Sequence, residues 1–138
     1  MRTRRQFIFM LGVASIALFG PVARATQPTV EVIAMGHSPV QNALKPVREV
    51  LTKYAGKVRV IELDAESPDG EKRLKAVGLK GHIPIALLID GNKSFKLPDG
   101  KSIEFINFPA AAGNPMGLNG AWTVADFEAA LRAALGEK

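Results

Sequence analysis

The chain has 138 residues, a formal net charge of +5 and no cysteine, which excludes disulfides and every form of thiol chemistry. Four arginines and no acidic residue fall within residues 1–25, so subtracting these four from the 18 basic residues leaves 14 against 13 acidic ones. The rest of the chain is therefore close to neutral, and its charge gives no argument for nucleic-acid binding.

Residues 1–25 have the pattern of an export signal. Basic residues come first, an apolar run covers residues 7–19, and a small-x-small cleavage site lies at Ala23-Arg24-Ala25. Arg4-Arg5 and the residues around them resemble the twin-arginine export signal of bacteria. The apolar run is short for a membrane span, although an ordinary secretory signal or an uncleaved anchor is the alternative.

We therefore expect a twin-arginine-like signal peptide at residues 1–25, followed by one domain at residues 26–138. The mature protein would be periplasmic or secreted, and after signal cleavage it would not be an integral membrane protein.

The next stretch predicts a strand and an amphipathic helix. Residues 30–35 (VEVIAM) are apolar and of strand length. Ser38 is the expected N-cap of the helix, with Pro39 at the first helical position and Gln41 completing a capping box. Pro46 falls inside the helical pattern and predicts a kink.

A second strand–helix unit follows. Residues 58–64 (VRVIELD) form the strand, and Ser67-Pro68 begins the helix by the same combination of cap and proline. The basic residues Lys72, Arg73 and Lys75 indicate a solvated helix face. Two such units in succession predict a parallel strand pair with a right-handed crossover.

Residues 85–89 (IALLI) form an unbroken apolar run of strand length, closed by the hairpin signal Asp90-Gly91. Pro84 has no N–H to donate and therefore belongs at the first position of this strand. Residues 103–108 (IEFINF) alternate as a half-exposed strand does.

The end of the domain combines an irregular stretch with a well-marked helix. Residues 109–121 show no periodicity. Thr123 is the predicted N-cap of the last helix, with Asp126 three residues on. Trp122 could stack on a ligand, but its position before the cap favours a hydrophobic staple with Phe127.

The predicted order of elements is βαβαββα, an α/β fold, and it resembles the thioredoxin-like family over nearly all of the domain. The most specific matches are His37-Ser38-Pro39-Val40, where the family has Cys-x-Pro-Cys, and Gly81-His82-Ile83-Pro84, where it has its cis-proline loop. The resemblance implies a four-stranded mixed sheet in the order 2-1-3-4, flanked by helices, and a cis peptide bond before Pro84.

The chain departs from the family at the residues that carry redox chemistry. His37 and Val40 stand where the two cysteines would be, and His82 looks like an insertion before Ile83. Dithiol exchange needs a thiolate to attack a disulfide sulfur, so this chain cannot be a disulfide oxidoreductase or isomerase.

The resemblance also locates a candidate site, because the first strand's end, the proline loop and the last strand's end meet at one edge of the sheet. Ligands bind beyond the carboxyl ends of parallel strands. In the family, extended peptides lie beside the proline and bond to the backbone of the preceding residue, here Ile83. The loop at residues 109–121 would flank or cover this groove. The expected binding residues are His37, Ser38, Pro39, Val40, His82, Ile83 and Pro84.

Two sharper interpretations compete with this one. His37 and His82 could bind copper or another metal with help from Met35, Met116 or a carboxylate, although neither histidine has the spacing of a ligand motif. Ser38 and His37 could act as nucleophile and base, but the N-cap role already accounts for Ser38.

The sequence therefore predicts an exported thioredoxin-fold protein that binds a peptide or protein partner and has neither catalytic residues nor a cofactor. The alternatives are a periplasmic copper-binding protein and, less favoured, an enzyme that uses neither thiol nor metal.

Overall fold

The computed structural model describes residues 26–110 and 117–137, so the predicted signal peptide lies outside the described residues. Three helices and five strands follow one another along this part of the chain. They are β1 (Thr29–Ala34), α1 (Ser38–Lys53), β2 (Arg59–Asp64), α2 (Pro68–Ala76), β3 (Ile85–Ile89), β4 (Ser94–Lys96), β5 (Ser102–Glu104) and α3 (Val124–Ala134). None of the described helices is long and apolar enough to cross a membrane.

The central sheet has three strands in the order β2-β1-β3. β1 and β2 run parallel, as the two strand–helix units predict, and β3 runs antiparallel to β1. All five residues of β3 are buried, which explains the unbroken apolar run of that strand.

The predicted strand at residues 103–108 is divided between two partners. Its first part is β5, which pairs with β4 in a separate two-stranded sheet. Its second part lies beside β3, where Leu87 N–H donates to the Phe105 carbonyl at 2.9 Å and Asn107 N–H to the Ile85 carbonyl at 2.8 Å. This segment contributes an isolated bridge rather than a fourth strand, because the chain leaves β3 at Asn107, whose φ is +68°.

The turn after β3 has the predicted hairpin geometry. Asp90 and Gly91 have φ angles of +50° and +76°, as both central residues of a type I′ turn require. The backbones of Ile89 and Asn92 bond to each other in both directions, at 3.1 and 3.0 Å.

The expected cis peptide bond before Pro84 is wrong, since the described residues contain no cis peptide bond. Pro84 does open β3, and its carbonyl accepts a hydrogen bond from Met35 N–H at 3.0 Å. The absence of a donor on proline explains its position at the strand start, but this position requires neither isomer, and trans is the intrinsically favoured one.

Two of the three predicted helix caps are confirmed. The Ser67 hydroxyl accepts from Gly70 N–H at the start of α2. Thr123 and Asp126 form a reciprocal capping box at the start of α3.

The predicted cap of α1 is wrong. His37 is the N-cap residue, without a side-chain cap bond, and Ser38 is already helical. Gln41 completes no capping box, because its side-chain amide reaches back to the Met35 carbonyl at 2.7 Å. Its other side-chain atom, Oε1, accepts from Arg48 at 3.0 Å, so Gln41 ties the helix to the end of β1.

Helices cover both faces of the sheet. Arg48 of α1 bonds to Glu62 of β2, which lies opposite Val32 on the same face. On the other face, Arg73 of α2 makes two 2.6 Å hydrogen bonds to the buried Glu31 in the middle of β1. These bonds raise the pKa of Arg73, and they show that the expected solvated face of α2 excludes Arg73.

Candidate functional site

A groove lies at the sheet edge where the parallel strands β1 and β2 end. Its volume is about 460 Å³. We call it the edge groove; its lining consists of Met35, Ala65, Glu66, Glu71, Leu74, Lys75, Leu79, Lys80, Gly81, His82 and Ile83. This is the position at which ligands bind in α/β sheets.

Each part of the groove follows from the chain's order of elements. Met35 comes directly after β1, and Ala65 and Glu66 come directly after β2. Glu71, Leu74 and Lys75 are spaced on one side of α2, as i, i+3 and i+4 residues are. Residues 79–83 form the loop between α2 and β3 and complete the rim.

The floor of the groove is apolar and its rim is charged. Met35, Leu74 and Leu79 are buried, and Ile83 is half-buried and packs against the core. The charged lining residues and His82 are exposed. An apolar floor with polar groups at its edge is the usual composition of a binding site.

Each acidic group of the rim lies close to a basic side chain. Glu66 lies 3.2 Å from Nε2 of His37, and Glu71 lies 3.7 Å from Lys75 one helical turn later. Within residues 26–110 and 117–137, Lys80 and His82 have neither an ion pair nor a side-chain hydrogen bond. The two glutamates and two lysines of the rim balance in formal charge, and Lys80 is the charged rim residue without a partner in this part of the chain.

The backbone of residues 80–83 is open. Leu79 N–H donates to the Leu74 carbonyl at 2.9 Å, and the Pro84 carbonyl accepts from Met35. Between these two bonds, no backbone N–H or carbonyl of residues 80–83 has a hydrogen-bond partner among the described residues. Such a segment can accept the backbone of another chain.

None of the first four predicted site residues lines this groove, and only His37 contacts a residue that does. His37 and Ser38 are exposed at the start of α1, and His37 touches the groove through Glu66. Pro39 is half-buried. Val40 is fully buried in the core, with 0% of its surface exposed, so its side chain is not available to a partner.

The last three predicted site residues lie where the groove meets β3. His82 and Ile83 line the groove, and their role in binding stays a prediction. Pro84 is buried below it and contributes its carbonyl to the bond with Met35. Sequence reasoning missed Glu66, Glu71, Lys75 and Lys80, although Glu66 closely follows β2 and the rule that ligands bind beyond the carboxyl ends of parallel strands applies to it.

The geometry does not assemble a metal centre. No group of three His, Cys, Asp or Glu residues in the described part of the chain could hold a metal ion. Nε2 of His37 faces Glu66, and Met116 lies outside the described residues.

The proposed nucleophile and base are not joined either. No hydrogen bond links Ser38 and His37 in the part of the chain that the structure describes. Because a serine nucleophile needs a base within hydrogen-bond distance, this pair lacks the geometry for acyl transfer.

At the same edge of the sheet, backbone hydrogen bonds join the two ends of the predicted 109–121 loop. Phe108 N–H donates to the Leu118 carbonyl, Gly120 N–H to the Phe108 carbonyl and Ala110 N–H to the Trp122 carbonyl, at 2.7–2.9 Å. We call residues 106–110 with 118–122 the aromatic junction. Residues 111–116 lie outside the described residues, so the predicted cover over the groove stays a prediction.

Trp122 belongs to the core of the aromatic junction. Its ring is 0% exposed, and its Nε1–H donates to the Ile106 carbonyl at 3.1 Å. Phe105 packs edge-on against both Trp122 and Phe127, with ring centroids 5.6 and 5.5 Å apart. Burial excludes a ligand-stacking role for Trp122, and its burial together with Phe127 around Phe105 agrees with the packing role that the sequence predicts.

No family model, no characterised protein and no solved structure matches this chain. The assignment of a function therefore rests on the edge groove: an apolar floor, an open backbone segment and a rim lysine, Lys80, without a partner among the described residues.

Proposed function

We propose that this protein is an exported, non-catalytic binding module of thioredoxin-like fold, and that it holds an extended segment of a peptide or protein partner in the edge groove. The fold assignment is supported by the strand order β2-β1-β3, by the segment at residues 105–107 beside β3, and by helices on both faces of the sheet. Export is supported by the sequence pattern of residues 1–25.

The open backbone of residues 80–83 is the observation that carries the binding function. An unpaired backbone segment above an apolar floor favours strand-like pairing, in which main-chain hydrogen bonds give affinity and the floor selects side chains. The N–H and carbonyl groups of residues 80–83 have no partner in the described chain, so they are available for hydrogen bonds to a partner chain.

A binding role agrees better with the side chains than catalysis does. The chain has no cysteine, so dithiol chemistry is absent. The groove's carboxylates are held by His37 and Lys75 rather than placed beside a nucleophile. We therefore assign the groove to recognition.

Selection from a library of extended peptides blocked at both ends, followed by NMR of the labelled full chain, tests this function. We expect selected peptides to shift the backbone amide signals of Gly81, His82 and Ile83 and to slow their hydrogen exchange. Ile83→Ala should weaken binding, because it removes part of the groove lining.

Val60→Ala is the matched control, since Val60 is an apolar side chain that is 41% exposed on β2, away from the groove. Selected peptides that shift signals elsewhere, or that bind Ile83→Ala and the unmodified chain equally well, would contradict the proposed function.

A further inference from the structure

The edge groove has a chemical preference that a general peptide-binding surface would lack. Glu66 lies 3.2 Å from Nε2 of His37 and Glu71 lies 3.7 Å from Lys75, whereas Lys80 has no partner among the described residues. A partner that brings a negative charge to Lys80 would therefore form an ion pair that the free chain lacks.

The backbone beside Lys80 also suits an anion. Gly81, with a φ of +86°, adopts the left-handed conformation that glycine favours, and the N–H groups of this exposed loop follow it. The N–H groups of Gly81, His82 and Ile83 have no partner in the described chain, so they are available to an oxyanion.

The apolar floor lies directly next to this group of donors. Ile83 belongs to the donor segment and also lines the groove, and Leu74 and Leu79 continue the apolar surface inward. A ligand that fits both parts must carry a carboxylate and an apolar side chain within a few ångströms of each other.

We propose that the edge groove binds the free C-terminus of a polypeptide whose last residue is apolar, an inference that rests on the proposed function. The terminal carboxylate accepts hydrogen bonds from the N–H groups of residues 81–83 and the charge of Lys80, and the terminal side chain packs on Leu74 and Leu79. An internal Asp or Glu fits less well, because its carboxylate occupies the side chain that the apolar floor would otherwise receive.

Fluorescence anisotropy of the full chain with three labelled heptapeptides tests this inference. The first ends in leucine with a free carboxylate, the second is the same peptide as its C-terminal amide, and the third is an amide with aspartate as its last residue. We expect the free acid to bind about tenfold tighter than either amide, as the loss of one charge-assisted hydrogen bond predicts.

Two lysine variants sharpen the experiment. Lys80→Gln should weaken binding of the free acid by several-fold and leave the leucine amide unchanged, since it removes charge but little volume. Lys72→Gln is the control, because Lys72 is an exposed lysine of α2 that does not line the groove.

The outcomes separate this inference from the proposed function. Equal binding of the free acid and its amide would overturn the terminal-carboxylate inference and leave the peptide-binding function intact. Tighter binding of the aspartate amide would overturn it in favour of an internal acidic residue. Failure of all three peptides and of the blocked library would overturn both.

Discussion

Two connections at one edge of the sheet, the loop at residues 79–84 and the aromatic junction, differ in how their backbones are satisfied. In the junction, three backbone hydrogen bonds tie residues 108 and 110 to residues 118–122, and the Trp122 ring closes over the Ile106 carbonyl. In the loop, residues 80–83 have no such bonds within the described chain. The difference teaches that the junction serves as scaffold, whereas the loop has the unpaired backbone groups on which the proposed function depends.

Substitution of a glycine by alanine tests this comparison with the largest expected effect. A Cβ at Gly120 would lie 2.1 Å from the Ile106 carbonyl oxygen and 2.7 Å from the Trp122 ring. Because both neighbours are fixed by the junction, we expect Gly120→Ala to lower the free energy of unfolding by about 3 kcal/mol. Chemical denaturation of the purified variant measures this loss.

Gly36, between β1 and α1, offers the matched control. A Cβ at Gly36 would meet no atom within 4 Å, so Gly36→Ala should change the free energy of unfolding by less than about 0.5 kcal/mol. Similar losses for Gly120→Ala and Gly36→Ala would show that the close approach of Gly120 to the Ile106 carbonyl and the Trp122 ring does not stabilise the junction.

Trp122→Phe should have the next largest effect. The substitution removes the Nε1–H donor to the Ile106 and Asn107 carbonyls and leaves space in a fully buried site. We expect a loss of about 2 kcal/mol in the free energy of unfolding, combining an unmade hydrogen bond with a small cavity. A loss below about 0.5 kcal/mol would mean that the tryptophan is not the closing group of the junction.

The N-termini of α3 and α1 also differ in how their backbone groups are satisfied, with a smaller expected effect on stability. Thr123 caps α3 beside the junction, whereas Ser38 at the start of α1 makes no cap bond. We expect Thr123→Ala to destabilise the protein by about 1 kcal/mol and Ser38→Ala to have almost no effect. Equal effects in thermal unfolding would restore Ser38 as the cap of α1.

Hydrogen exchange followed by NMR compares the two connections without mutation. The amides of Gly81, His82 and Ile83 should exchange at close to the rate of an unstructured chain, because nothing in the described chain accepts from them. The amides of Phe108 and Gly120 should be protected. Strong protection of residues 81–83 in the free protein would remove the open segment on which the proposed function depends.

The elements that sequence predicts well here are those that local chemistry determines. The Asp90-Gly91 turn needs positive φ at two adjacent residues, and the caps at Ser67 and Thr123 need only groups three residues away. The parallel pairing of β1 and β2 follows from chain connectivity in the same way.

The features that sequence missed depend on tertiary partners. Ser38 and Gln41 fit a capping box, yet Gln41 is drawn to the Met35 carbonyl at the end of β1 instead. Arg73 looks like part of a solvated face, yet it turns inward because Glu31 lies beneath it in the sheet. The groove's charged rim was missed for the same reason, since its members come from three segments: the turn after β2, α2 and the loop at residues 79–83.

The bond between Arg73 and Glu31 also determines how the groove can respond to a ligand. α2 forms one wall of the groove, and that ion pair fixes it to the centre of the sheet. The first turn of α2 is also fixed, because Gly70 packs against the Asp64 carbonyl with no room for a side chain. The opposite wall is the open loop at residues 80–83. α2 is therefore the fixed wall of the groove. We expect any change in the width of the groove on binding to come from movement of the loop.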